Sequence, residues 1–172
     1  MKLLRFLCLS LCSFVLFPSH AYQQEQEPLV IVNKAINQAA FIKGDNIIKV
    51  VDAASGKTEE LTPEGLFTVI VKAKNPYYRK KDIEGGSPEN PLGTRWIGFD
   101  ARETDGRIYG IHGTNQSSSI GQYVTNGCIR LSNENVEWLY ENVPKGTSVY
   151  IVKKDVPFQV LIEEVKTLRH KN

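Results

Sequence analysis

The stretch Thr125–Leu131, which reads Thr-Asn-Gly-Cys-Ile-Arg-Leu, carries the cysteine around which the rest of the chain can be organised. Upstream, Ile111–Thr114 reads Ile-His-Gly-Thr, and residues 115–124 between the two stretches are polar and rich in Ser. Such a loop can return the chain to its starting point and bring an imidazole beside the thiol. A thiol is mostly protonated near neutral pH, so an imidazole that takes its proton or stabilises the thiolate activates it. The pattern therefore predicts that Cys128 is a nucleophile and His112 its base.

The residues next to the cysteine suggest how such a nucleophile is presented. Gly127 lets the backbone turn sharply just before Cys128. The amides of Gly127 and Cys128 are then predicted to face a developing oxyanion. Arg130 is close enough to Cys128 in the sequence to anchor a substrate carboxylate or to stabilise the loop.

Residues 1–21 have the three parts of a secretory signal peptide. Lys2 and Arg5 precede the apolar run Phe6–Phe17, and Ser19 and Ala21 supply the small residues that a signal peptidase reads. A short core or anchoring helix is the alternative interpretation. The run is too short for a membrane-spanning helix, so no span is expected after cleavage.

Cleavage after Ala21 would change both the net charge and the number of cysteines of the chain. It removes two of the 21 basic residues, which leaves 21 − 2 = 19 against 19 acidic ones, and it leaves Cys128 as the single cysteine. A neutral chain has no general attraction for nucleic acid. A lone cysteine cannot form an internal disulfide, so it is either a buried, inert thiol or a nucleophile. Zinc needs three or four ligands, and besides carboxylates only His112, Cys128 and His170 remain, so neither a metal nor another cofactor is expected.

Hydrophobic patterning predicts one mainly-β domain with one inserted helix next to the active site and a C-terminal helix. The chain has 172 residues, of which 41% are hydrophobic, enough for a single core. The predicted strands are 29–33, 38–42, 47–51, 67–71, 95–99, 108–111 and 147–152, the second and third of them forming a hairpin. A helix is predicted over 136–143 with Ser132 or Asn133 as its cap, and another over 157–168. The long charged loop 77–93 is expected to act as a lid with Gly85-Gly86 as its hinge.

Several sequence blocks resemble the YkuD-type L,D-transpeptidase catalytic domain. They are Leu61–Phe67, Asn90–Trp96, Ile111–Thr114, Ile120-Gly121, Thr125–Leu131 and Lys145–Ile151. The resemblance implies a YkuD-like β-sandwich or barrel. It divides the chain into a signal peptide (1–21), a polar lead (22–28), a catalytic domain (29–153) and a helical tail (154–172). Asn126 departs from the family, since many members carry His there.

The resemblance implies an exported enzyme of the cell wall, periplasm or extracellular space that acts on peptidoglycan tetrapeptide stems as donor and acceptor. Cys128 would attack the amide that precedes the terminal D-Ala, and an amine of a second stem would then receive the acyl group to form a 3→3 cross-link. His112 is the implied base, and the Gly113 carbonyl orients its imidazole, while Gly127 completes the oxyanion hole. The substrate-binding residues implied are Arg130, Thr125, Asn126 and Thr114. A monomeric carbapenem target with a part in cell shape is expected.

Two other functions remain open from the sequence. The same Cys–His pair could pass the acyl group to water, which would make the protein an L,D-carboxypeptidase or amide hydrolase on the same peptides. Alternatively, the domain could bind the wall without catalysis, in which case Cys128 would be buried and unreactive.

Overall fold

The computed structural model describes residues 27–170, so the predicted signal peptide and most of the predicted polar lead lie outside the described residues. Within this range the strands are β1 Pro28–Asn33, β2 Gln38–Lys43, β3 Asn46–Asp52, β4 Ser55–Gly56, β5 Gly65–Lys74, β6 Arg95–Phe99, β7 Gly110–His112, β8 Tyr123–Thr125, β9 Ile129–Arg130 and β10 Ser148–Val152. The helices are α1 Asn133–Asn142 and α2 Phe158–Arg169. The prediction of a mainly-β domain with one inserted and one C-terminal helix is confirmed.

Eight strands form one curled sheet in the order β3-β2-β1-β10-β5-β6-β7-β9. The β1–β10 and β7–β9 pairs are parallel and the other neighbours are antiparallel. The predicted hairpin is confirmed as β2 and β3, and Gly44 supplies the positive φ of its turn. Strands β4 and β8 form a separate parallel pair.

Alternation along the strands divides the apolar side chains between two clusters. In β1, Val30 and Val32 belong to an inner cluster that the curled sheet surrounds, whereas Leu29 and Ile31 belong to an outer one. This is the period of two expected for a strand that is covered on both faces. The inner cluster also holds Val136, Leu139 and Val143 at the α1 end, and the outer one holds Phe158, Leu161, Ile162 and Val165 of α2.

The two helices begin differently. Helix α1 begins after Ser132, whose hydroxyl accepts a hydrogen bond from Asn135 N at 3.2 Å, so Ser132 rather than Asn133 is the cap. Helix α2 follows Pro157 without a side-chain cap and is held by its apolar stripe on the outer cluster. Neither helix, the only two α-helices in residues 27–170, is long and apolar enough to cross a bilayer.

Three short strands were not predicted, namely β4, β8 and β9, because none carries an apolar run long enough to show a period. The strand predicted to begin at Ile108 begins at Gly110. Ile108 is 61% exposed and contributes no side chain to a core. The loop predicted over 115–124 contains the start of β8 and a 3₁₀ turn at Ser117–Ser119.

Strands β6, β7 and β9 position the candidate site. Ile97, Ile111 and Ile129 pair in register and point into the inner cluster. Their neighbours along the strands therefore point to the opposite face. On that face Trp96 is in register with His112, and His112 is in register with Arg130.

Candidate active site

The imidazole of His112 is buried and held from one side by an indole. Its ring stacks on that of Trp96 with 5.7 Å between centroids and 17° between planes, and His112 is only 4% exposed. Trp96 is fixed in turn, because its Nε1–H donates to Gly106 O at 2.8 Å. A Cβ at Gly110 would lie 2.6 Å from the Trp96 ring, so only glycine leaves room for the indole there. The histidine therefore has little freedom to rotate.

A backbone carbonyl sets the tautomer of this histidine. Nδ1 of His112 lies 2.6 Å from Gly113 O, and a carbonyl oxygen can only accept, so Nδ1 carries the proton and Nε2 is left as a base. The pKa of His112 is lowered to about 4, chiefly by burial and also by the charge of Arg130, although hydrogen bonds with the backbone of Gly113 and Leu92 act to raise it. The imidazole is therefore neutral at physiological pH.

Cys128 lies immediately before β9, and its half-buried thiol donates to Ile108 O at 3.4 Å. The pKa of Cys128 is raised to about 11, because the effect of burial exceeds the lowering effects of the Gly110 backbone and of the charges of Lys80 and Arg130. The resting group is therefore a protonated thiol rather than a thiolate.

The register of β7 and β9 brings the segment that carries Cys128 next to the strand of His112. His112 is the Cα partner of Arg130, and Cys128 is two residues before Arg130, just outside β9. The charge of Arg130 acts on the pKa of both groups, as expected if the three side chains are neighbours. The thiol and the imidazole are thus each neutral at rest, and they belong to neighbouring segments of the chain.

The turn before Cys128 is held by hydroxyl groups. Thr125 Oγ1 donates to Cys128 O at 2.7 Å and accepts from Gly127 N at 3.1 Å. Thr62 Oγ1 donates to Gly127 O at 3.0 Å. Gly127 has φ +126, and a Cβ there would lie 2.4 Å from Leu61 O, so no other residue fits without displacing this backbone.

These contacts differ from two of the sequence-based expectations. Gly127 N–H was expected to face an oxyanion, but its hydrogen is directed to Thr125 Oγ1. This leaves Cys128 N–H as the candidate donor. Thr125 was expected to bind substrate, but it is buried and its hydroxyl is engaged within the turn. Composition cannot distinguish a hydroxyl that faces the cleft from one that closes a turn.

The other two predicted binding residues lie in contrasting surroundings. Thr114 is buried, and its Oγ1 accepts from Gln116 N at 2.9 Å, so this hydroxyl also builds a turn. Asn126 is exposed beside the nucleophile. Of these two side chains, only that of Asn126 is exposed.

Arg130 joins the site to the 115–124 loop. One terminal nitrogen donates to Ser119 Oγ at 2.9 Å, while its buried Nε has no hydrogen-bond partner within residues 27–170. The backbone of Arg130 exchanges two hydrogen bonds with Ala54, at 2.8 and 2.9 Å. Burial lowers the pKa of the guanidinium. A buried donor without a partner carries a free-energy cost that an arriving anion can relieve.

The 77–93 loop lies over this face, since Lys80 acts on the thiol and the backbone of Leu92 on the imidazole. Inside the loop, the buried Asn90 donates to Pro76 O at 2.8 Å and to Glu84 O at 3.1 Å. This amide fixes the two arms of the loop relative to each other.

The hinge at Gly85-Gly86 stays a prediction, and the structure gives Gly85 a separate reason to be glycine. A Cβ at Gly85 would lie 1.9 Å from Asn75 O, so the close approach of the two backbone segments leaves no room for a side chain. Asn115 Nδ2 also donates to Glu89 O at 2.9 Å, which ties the loop to the segment after His112.

Sequence reasoning missed two polar residues that support the site. Thr62 accepts from Gly56 N at 2.9 Å while it holds the nucleophile turn. Asn133 was considered only as a helix cap, but its side chain accepts from Thr94 N and Thr114 N. Both residues lie far in sequence from the groups they hold, so no local pattern indicated them. Among residues 27–170, no three His, Cys, Asp or Glu side chains are grouped so as to hold a metal ion.

Comparison with known proteins gives one consistent result. The sequence profile of the L,D-transpeptidase catalytic domain (YkuD) matches residues 27–151. Bacillus subtilis (strain 168) YqjB, which carries the name of an L,D-transpeptidase, is 52% identical over 163 residues, 92% of this chain and 93% of that protein.

Solved structures show the same fold at lower identity. An L,D-transpeptidase from Mycobacterium smegmatis is 22% identical with a TM-score of 0.58, over 73% of this chain and 58% of that one. L,D-transpeptidase 3 from Mycobacterium tuberculosis, solved with a faropenem-derived adduct, is 18% identical with a TM-score of 0.57, over 74% of this chain and 60% of that one. The chain thus spans less than two thirds of either of these structures.

Proposed function

The chain belongs to the YkuD family of L,D-transpeptidase catalytic domains, and from that membership we propose that it is an exported cysteine transpeptidase of peptidoglycan. Its donor and acceptor are tetrapeptide stems, and its product is a 3→3 cross-link formed through an acyl-enzyme on Cys128. The observation that carries the proposal is the pairing of β7 with β9, which sets His112 opposite Arg130, two residues from Cys128.

In the acylation step, Cys128 Sγ attacks the carbonyl carbon of the amide that precedes the terminal D-Ala. The thiol proton passes to His112 Nε2 as the carbon–sulfur bond forms, and the Cys128 N–H donates to the resulting oxyanion. Collapse of this intermediate breaks the carbon–nitrogen bond, and the imidazolium returns its proton to the leaving D-Ala amine. The product is a thioester on Cys128.

Transfer reverses these roles. The side-chain amine of a second stem attacks the thioester carbonyl and gives its proton to His112 Nε2. The carbon–sulfur bond then breaks, and the sulfur recovers the proton from the imidazolium. The Gly113 carbonyl stabilises each imidazolium through Nδ1–H, which is the contact that the 2.6 Å distance supports.

The surroundings of the two groups support a pair that is neutral at rest. Burial disfavours both the thiolate and the imidazolium, so charge separation develops only as the substrate is attacked. Alkylation of Cys128 by iodoacetamide should therefore be slow at pH 7 and accelerate above about pH 9. A rate that is flat and fast from pH 5 to pH 9 would indicate a preformed thiolate–imidazolium pair instead.

Arg130 and Asn126 are the proposed substrate contacts. The unpartnered Nε of Arg130 can donate to a stem carboxylate while the guanidinium stays bound to Ser119. The exposed Asn126 can contact the peptide next to the scissile bond. Thr125 and Thr114 support the backbone around the nucleophile and the base.

The proposal is tested with purified stem peptides. Wild-type protein incubated with a tetrapeptide donor should show, by intact mass, a thioester that is lost in Cys128→Ala. Adding an acceptor amine should give the cross-linked dimer. Hydrolysed tripeptide with no dimer would make the protein an L,D-carboxypeptidase, and the absence of any adduct would favour a wall-binding domain.

Two further expectations belong to the proposal. A carbapenem, with its strained lactam carbonyl, should acylate Cys128 and shift the intact mass of wild type but not of Cys128→Ala. Export should leave a mature chain that begins at Tyr22, because the predicted signal peptide ends at Ala21. N-terminal sequencing of the protein recovered from the cell envelope checks this point.

A further inference from the structure

The side chain of Asn133 lies where three segments of the site meet. Asn133 is the first residue of α1, and its Oδ1 accepts from Thr114 N at 3.1 Å and from Thr94 N at 3.3 Å. Thr114 is in the segment that follows His112, and Thr94 immediately precedes β6, which carries Trp96. One amide oxygen therefore joins the base, its stacking partner and α1.

Two glycines leave the space for this oxygen. A Cβ at Gly93 would lie 2.1 Å from Asn133 Oδ1, and a Cβ at Gly113 would lie 2.2 Å from the same atom. A side chain at either position would therefore displace the Asn133 amide from its present place. The backbone has thus been brought close to Asn133 from both sides, which is more than a helix cap requires.

The hydrogen bond to Thr114 acts on the carbonyl that holds the catalytic imidazole. Thr114 N–H and Gly113 C=O belong to the same peptide group. Asn133 Oδ1 accepts from its N–H end, and His112 Nδ1–H donates to its C=O end at 2.6 Å. Hydrogen bonds in such a chain polarise one another, so a bond at the N–H makes the carbonyl a better acceptor.

We propose that Asn133 is a positioning residue for His112, acting through the peptide group between Gly113 and Thr114. By fixing the plane of that peptide, it keeps the carbonyl aimed at Nδ1 and so keeps Nε2 unprotonated for the thiol. The inference rests on the proposed function for its catalytic consequence. The tautomer of His112 is independent of that function.

The test compares three variants of the full chain. Asn133→Ala removes the acceptor, whereas Asn133→Asp keeps an oxygen acceptor of the same shape. Ser132→Ala is the matched control, because it removes the cap at the same helix end without touching the peptide after His112. Protein labelled with ¹⁵N-histidine reports the tautomer, and the His112 resonances are assigned by comparison with His112→Gln.

In wild type and Ser132→Ala, His112 should be the Nδ1–H tautomer. In Asn133→Ala the Nε2–H tautomer should become populated, and acylation by a stem peptide should be about ten-fold slower than in Ser132→Ala at equal folded fraction. In Asn133→Asp, the charged acceptor should move the Nδ1 proton resonance further downfield and preserve acylation.

Two results would overturn the proposal. One is an Nδ1–H tautomer in Asn133→Ala equal to that of wild type. The other, which also decides the case if Asn133→Ala fails to fold, is an unchanged Nδ1 proton resonance in Asn133→Asp. If wild type forms no acyl-enzyme at all, the proposed function fails, while the resonances still decide whether Asn133 positions His112.

Discussion

The same face of the curled sheet is used in two ways. Over β1, β2 and β10 it carries Leu29, Ile31 and Tyr150, which α2 covers with an apolar stripe. Over β6, β7 and β9 it carries Trp96 and His112 under polar loops instead. Both halves obey the same alternation against one inner cluster. The strand pattern therefore determines which way a side chain points, and the covering element determines whether it can react.

The two halves also differ in what stabilises them. The half under α2 gains free energy from buried apolar area, at about 25 cal/mol per Å². The half with the site buries polar groups, whose cost is reduced where they have a backbone or side-chain partner, as His112 has Gly113 O. We therefore expect substitutions in the first half to act on stability and those in the second to act on chemistry.

The largest effect is expected at the base. His112→Gln keeps a side chain of similar size but removes Nε2 as a proton acceptor, so acylation by a stem peptide should slow by about 10²–10⁴-fold. Stopped-flow measurement of thioester formation gives the rate. A carbon-13 isotope effect at the scissile carbonyl on this rate would show that the chemical step is the one observed. A rate within three-fold of wild type would remove His112 from this role.

The next effect belongs to the half under α2. Leu161 is fully buried in the outer cluster, so Leu161→Ala should cost ~2–5 kcal/mol in the free energy of unfolding. Its acylation rate at 25 °C should stay at the wild-type value in the folded fraction. Leu139→Ala is the matched variant on α1, and it should lower Tm comparably and also slow acylation, because Asn133 begins that helix. Equal acylation rates in the two variants would contradict the expectation that only the half with the site acts on chemistry.

The pH dependence of stability separates the halves further. The pKa of His112 falls from 6.5 in the unfolded chain to about 4 in the folded one, so its contribution is fully present above pH 6.5. That contribution is lost as the pH falls from 6.5 to 4 and amounts to about 3 kcal/mol. Urea unfolding across this range should show the loss in wild type and Leu161→Ala but not in His112→Gln. If the free energy of unfolding fell with pH equally in wild type and in His112→Gln, the loss could not be assigned to His112.

The smallest effect is expected from the 77–93 loop. Replacing Ile83–Pro88 with a short linker removes the Gly85 contact with Asn75 and one of the two carbonyls that Asn90 binds. KM for the donor peptide should rise about three- to ten-fold, within the usual reach of a covering loop, with Tm changed by only a few degrees. Steady-state kinetics with a thermal melt of the same preparation provide both numbers. Unchanged kinetics would make the loop a passive surface segment.

The half under α2 could be predicted from the sequence because its structure follows local rules. The continuous apolar run Leu29–Val32 and the helical spacing of Leu161 and Val165 are visible in any short window. Strand β9 has only two residues and becomes a strand through its pairing with β7. A contact between distant segments leaves no periodic signal in either of them.

Within the candidate site, the sequence was enough to name candidate residues but not to say which way their side chains and peptide groups point. Cys128 and His112 could be singled out by their chemistry and by a motif. Whether the hydroxyl of Thr125 meets substrate or closes a turn depends on which way one peptide faces, and Asn133 lies on a helix far along the chain from the groups it holds. The depressed pKa of His112 likewise follows from burial, which is a property of the whole fold.

The parallel pairing of β1 with β10 has a consequence for how the chain acquires its structure. Strand β10 lies between β1 and β5, so the first strand cannot join the rest of the sheet until the last one has arrived. Non-local pairings of this kind slow folding, because the entropy of closing a long loop must be overcome first. A ribosome-bound chain that ends before Ser148 therefore has no completed sheet. Such a delay lengthens the time during which a newly made polypeptide has no completed sheet to hold it folded.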